Sequence, residues 1–104
     1  MSFEVRFAAA AEDDLIRLFE FLLKRARATE DLDRAQQAIN AIESVTLHHL
    51  ASTPYSFRKT GKSPTRRELI IPFGATGYVA LDEIASASLE LVLAVRHQRE
   101  EDYH

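Results

Sequence analysis

The sequence predicts an α+β fold in the order β-α-α-β-β-β, a helical hairpin packed on a mostly antiparallel four-stranded sheet. Three observations predict it. Apolar residues recur at helical spacing in two stretches between residues 9 and 53, with only a short link between them. Three apolar-rich runs follow residue 66, and the turns between them are too short for a crossover helix. A short segment of period two opens the chain.

Taken in order, Phe3-Glu4-Val5-Arg6-Phe7 alternates apolar and polar, as a strand with one buried face does. Ala8–Ala11 leads into Glu12-Asp13-Asp14, acids suited to the positive end of a helix dipole. Leu15, Leu18, Phe19, Leu22 and Ala26 then share a helix face, giving a helix from about Ala9 to Arg27. Lys24, Arg25 and Arg27 lie in its last turn. Thr29 or Asp31 can cap a second helix whose apolar face carries Ala35, Ala38, Ile39, Ile42, Val45, His49 and Leu50. That helix should stop near Thr53, because Pro54 disfavours helical geometry in the residue before it. Residues 54–66 read as irregular, punctuated by Pro54, Gly61 and Pro64. The meander strands follow at Arg67–Phe73, Gly77–Ile84 and Leu89–Gln98. With regular alternation along the last, Leu89, Leu91, Leu93, Val95 and His97 face the core, and Glu90, Val92, Ala94, Arg96 and Gln98 face away.

The chain has 104 residues, which fits one domain over 1–104. It has no cysteine, so disulfides and thiolate metal sites are excluded. No apolar run approaches the ~18 residues of a membrane span, and no signal pattern opens the chain; a soluble, cytoplasmic protein is expected. The net charge is −3, which argues against a general nucleic-acid binder. Yet Arg58, Lys59, Lys62, Arg66 and Arg67 cluster without an acid among them, either a solvated loop or an anion-facing patch.

The most pointed chemistry lies where the last strand runs into Arg96-His97-Gln98-Arg99. Guanidinium forks there suit carboxylate or phosphate partners, and His97 is either a half-buried structural histidine or a working one. Adjacent residues on a helix diverge by about 100°, so His48 and His49 cannot chelate one metal and fit a core or interface role better. No metal motif is present, and no metal or other cofactor is expected. Tyr55, Phe57 and Tyr103 flank basic residues and suit stacking on bases.

The runs Arg67-Glu68-Leu69-Ile70-Ile71, Thr76-Gly77-Tyr78-Val79-Ala80-Leu81 and Leu91-Val92-Leu93-Ala94-Val95-Arg96-His97-Gln98-Arg99-Glu100 resemble the RelE/ParE toxins of type II toxin–antitoxin systems. The resemblance covers nearly the whole chain and is closer to ParE-like members. It implies a growth-inhibiting toxin neutralised by a cognate antitoxin that wraps the sheet and helices, in a hetero-oligomer. ParE-like members poison DNA gyrase by binding. RelE-like members instead cleave mRNA on the ribosome without metal. For such a ribonuclease, the resemblance implies Arg66 or Arg67 and Arg96 as phosphate clamps, with His97 or Tyr103 as acid or base. For a gyrase inhibitor, the target-binding candidates are Arg67, Arg96 and Arg99. The net negative charge, and the absence of a carboxylate from Gly61-Lys62-Ser63-Pro64-Thr65, favour the gyrase reading. An inactive module that only pairs with antitoxin is a third possibility. Phe21 and Leu23, large apolar side chains off the core stripe, are the candidates for antitoxin contact.

Overall fold

The computed structural model describes residues 3–52, 58–59, 65–100 and 103. The elements are β1 (Glu4–Phe7), α1 (Ala9–Arg25), α2 (Thr29–Ser52), β2 (Arg58–Lys59), β3 (Arg66–Phe73), β4 (Thr76–Ile84) and β5 (Leu89–His97). They form one mixed sheet in the order β1-β5-β4-β3-β2 with both helices on one face. β1 runs parallel to β5; the remaining pairs are antiparallel. The strand β2 lies in the segment predicted to be irregular and extends the sheet from four strands to five. It is a two-residue pairing of Arg58 with Glu68 and Lys59 with Arg67, too short to leave an alternation in the sequence.

α1 ends at Arg25, two residues before the predicted Arg27, because the next residues serve the start of α2. Ala26 is already extended, and the amides of Arg27 and Ala28 donate to Asp31 Oδ2 at 2.9 and 3.2 Å. Asp31 is the third residue of α2, so its carboxylate reaches back over the helix start as in one half of a capping box. Ala35, Ala38, Ile39, Ile42 and Leu50 are buried along α2 as the spacing predicts. His49 is exposed instead, and the buried row runs through Thr46, which continues Ile42 at i+4 and leads to Leu50.

The largest departure from the pattern is in β5. Leu81 pairs with Ala94 while Asp82 pairs with Val92, so Leu93 is an extra residue, a β-bulge. Val92 and Val95 therefore both enter the core, three residues apart, which a regular strand forbids. Beyond the bulge, Val95 and His97 face the helices as predicted. Before it the parity is reversed: Glu90 and Val92 face the helices, while Leu89, Leu91 and Leu93 are half-buried on the other side. Just past the bulge, the Val95 amide donates to Asp14 Oδ2 at 2.9 Å. Glu12 sits in the first turn of α1, but Asp14 is a buried side chain that docks the helix on β5 rather than a dipole-matching acid.

The core is built from Leu18 of α1, Ile42 and Leu50 of α2, and Leu69, Ile71, Tyr78, Ala80, Val92 and Val95 of the sheet. Each fully buried aliphatic side chain of this kind contributes about 1.5–3 kcal/mol. The β3–β4 hairpin closes through Gly74-Ala75, with Phe73 opposite Thr76. Gly74 has φ +62°, a conformation glycine adopts without steric cost. The guanidinium of Arg34 on α2 stacks over Phe73 at 5.3 Å, pinning this turn to the helix layer.

Candidate functional site

Strand parity divides the candidate residues between two faces of the sheet. On the face away from the helices, Arg96 lies opposite Val79, and Tyr103 folds back beneath it. The Arg96 guanidinium stands 5.1 Å over the Tyr103 ring, and the Tyr103 hydroxyl donates to Glu68 Oε2 at 2.8 Å. Glu68 also lies 3.9 Å from Arg96. Burial first, and then the Glu68 carboxylate, push the Tyr103 phenol up, so it is held as a proton donor. Arg96 also donates to the carbonyls of His97, Gln98 and Glu100, the last at 2.6 Å. The cluster Glu68–Arg96–Tyr103 thus fastens the chain after β5 to the open sheet face.

On the helix-facing side, His97 is bonded at both ring nitrogens. Its Nδ1 accepts the Arg99 amide at 3.1 Å, which leaves the proton on Nε2, 3.1 Å from Thr76 Oγ1. Burial and the Arg99 charge lower its pKa, outweighing Glu100, so the ring is held neutral. It also packs edge-on against Tyr78. The His97 amide donates to Glu100 Oε2, and the other oxygen of Glu100 is 2.7 Å from Arg17 of α1. His97 and Tyr103, the two acid–base candidates, are therefore separated by the sheet.

Arg66 is on the open face, paired with Glu83 at 3.4 Å. Register sets Arg96 level with Ile70, four residues along β3 from Arg66, roughly 13 Å away before the strand spacing is added. The basic segment and the β5 exit do not converge through Arg66. Arg67 is buried on the helix-facing side, in register with Asp82. Arg99 is exposed at the strand exit. Lys62, Tyr55, Phe57 and His104, and the segment Gly61–Pro64, lie outside the described residues. Among the described residues, no three His, Asp or Glu side chains converge as a metal-binding group, and no helix is long and apolar enough to cross a membrane.

A second surface lies between the helices. Leu15, Ile16, Phe19 and Leu23 of α1 and Ile39 of α2 line a groove of about 510 Å³, rimmed by Glu12, Glu20, Gln36 and Glu43. Leu23 is in this groove and Phe21 is not. Two residues apart on a helix are about 200° apart in azimuth, and Phe21 lies beneath the Arg25 guanidinium at 5.3 Å instead. Ile16, which the periodicity did not single out, is 56% exposed at the groove. Spacing could have found it, since Ile16, Phe19 and Leu23 follow an i, i+3, i+7 row beside the core stripe. Glu68 and Glu100 were also missed as partners; both sit in contacts that only tertiary folding creates.

A search of curated proteins finds no match. Among solved structures, the chain is similar to a protein of the chromosomal ParDE TA system from P. aeruginosa, at 11% identity and a TM-score of 0.71, covering 92% of this chain and 96% of that one. Residues 5–102 match the family described as ParE toxin of type II toxin-antitoxin system, parDE. The chain belongs to this family of ParE toxins.

Proposed function

We propose that this protein arrests growth by binding DNA gyrase in the cytoplasm, without chemistry of its own, and is kept inactive by a cognate antitoxin. The observation that carries this reading is the pairing of cations with carboxylates. Arg66 faces Glu83, Arg96 faces Glu68 and Arg17 faces Glu100, in a chain of net charge −3. Gripping an mRNA backbone draws on cations free to neutralise phosphate, and each of these already has an acidic neighbour. Among the described residues, Arg99 is a cation exposed at the exit of β5, where it can meet a protein partner. The interhelical groove supports the antitoxin half of the reading: its apolar floor suits an amphipathic helix, and its glutamate rim suits basic side chains on that helix.

Purified toxin at micromolar concentration should block gyrase supercoiling or trap cleaved DNA, and the antitoxin should relieve the block. Unchanged supercoiling would reject the proposal. The ribonuclease reading keeps one specific support, the convergence of Arg96 and Tyr103 on the open face. It requires EDTA-resistant mRNA cleavage in a translating extract that is lost in Arg96→Ala and Tyr103→Phe.

A further inference from the structure

Beneath the helix layer, at the end of the sheet away from the Gly74 turn, lies a group of charged side chains with no part in the proposed interfaces. Asp82 of β4 and Glu90 of β5 are both 0% exposed, and Arg67 of β3 is 5% exposed. Register puts all three on the helix-facing side. Arg67 is directly opposite Asp82, while Glu90 lies opposite Ile84, one step along the same face from Asp82. None of the four carboxyl oxygens has a hydrogen-bond donor among the described residues. Among the described side chains the neighbouring elements supply no second cation there, and β2 sets Lys59 in register with Arg67 at the sheet edge, two strands from Asp82 and three from Glu90. β1 places Val5 beside Glu90, with Glu4 and Arg6 turned to the other face. α2 crosses near this end, where the Phe3 amide donates to Ala51 O, and along its buried row the Thr46 hydroxyl has no hydrogen-bond partner among the described residues. His49 of α2 is exposed, and Glu83 is on the opposite face of β4, adding only negative charge. α1 docks on β5 further along, at Val95.

Two carboxyl groups and one guanidinium are neutral together only when the carboxyls keep one proton between them. A second buried carboxylate without a counter-ion would carry a desolvation penalty with nothing to offset it. We propose that Asp82 and Glu90 share a single proton, held against Arg67, and that this buried acid pair makes the domain an alkaline-sensitive fold. The protonated carboxyl donates to its neighbour, which supplies the hydrogen bond that no other described group provides. The ionised one is balanced by Arg67. Burial, then the Glu90 hydrogen bond and charge, push Asp82 up to about 9 against the opposing pull of Arg67, and burial also raises Glu90.

A carboxyl raised on folding binds a proton in the native state that the unfolded chain has released above about pH 4, so stability falls as pH rises toward 9. His97, with its lowered value, acts in the opposite direction only below about 6.5, which leaves pH 7–8.5 clear of its titration. Over that window the folding equilibrium constant of the full chain should fall about tenfold per pH unit. Refolding near pH 7.5, followed by calorimetry in buffers of different ionisation enthalpy, should take up about one proton. Asp82→Asn should abolish both the slope and the uptake, and should melt higher than the wild type at pH 8.5. Glu90→Gln tests the same pair should the asparagine variant fail to fold, and the wild-type proton uptake needs no variant at all. Uptake near zero, or a neutralised variant that keeps the wild-type slope, would overturn the proposal.

Discussion

Asp14 illustrates how one side chain joins layers. Its buried carboxylate accepts the Val95 amide just past the bulge and lies 3.7 Å from Arg17, which continues to Glu100. Asp14→Ala would leave a buried amide without an acceptor, and chemical denaturation should show a loss of about 1–3 kcal/mol. His97 makes a different kind of prediction. Because its value is lowered on folding, its contribution is complete above about pH 6.5 and is lost as pH falls through the lowered value. His97→Gln should therefore flatten the decline in melting temperature between pH 7 and 5. The two arginines at the strand exit should also separate. Arg96→Ala breaks bonds to three carbonyls and should lower the melting temperature, whereas Arg99→Ala should weaken inhibition of supercoiling with the melting temperature unchanged.

Among the elements, the helical hairpin does two jobs with two faces. Leu18, Ala38, Ile42 and Leu50 are buried against the sheet, and the seam between the helices keeps an apolar floor open to solvent. Glu12 and Glu20 rim that floor eight residues apart on α1, about 12 Å along the axis, which matches basic residues two turns apart on a docked helix. Leu23→Asp should cut antitoxin affinity at least tenfold, measured by calorimetric titration, with little change in thermal stability because Leu23 lies outside the core. Phe21→Asp, outside the groove, should cost less affinity. The bulge in β5 is the corresponding device in the sheet. By inserting Leu93 it turns Glu90 inward at one end while keeping His97 inward at the other.

Across the whole molecule, charge is arranged by site rather than in bulk. The open sheet face pairs its arginines with glutamates, the interhelical groove is acidic, and the interior holds one more acid than base at the Asp82–Glu90–Arg67 cluster. The gyrase reading rests on the first of these features and the antitoxin reading on the second, so the supercoiling assay and the antitoxin titration can fail independently. A toxin that binds antitoxin normally yet leaves supercoiling and translated mRNA intact would match the third possibility, a module that has kept only its pairing surface.

Fold class, most of the core and the element order apart from the two-residue β2 were legible in the sequence, because apolar periods of about 3.6 and 2 report directly on which face of a helix or strand is buried. The resemblance in the last strands pointed to the family for the same reason: a run such as Leu91–Arg99 is local in the chain. What periodicity could not supply was any relation that depends on how strands register. One inserted residue reversed the facing of half of β5 and brought Glu90 beside Asp82. Register also took Arg67 from a basic surface run into the interior, and it parted His97 from Tyr103. Those placements belong to the tertiary structure, since a bulge and a fold-back contact are set by the partner strand rather than by the residues on either side.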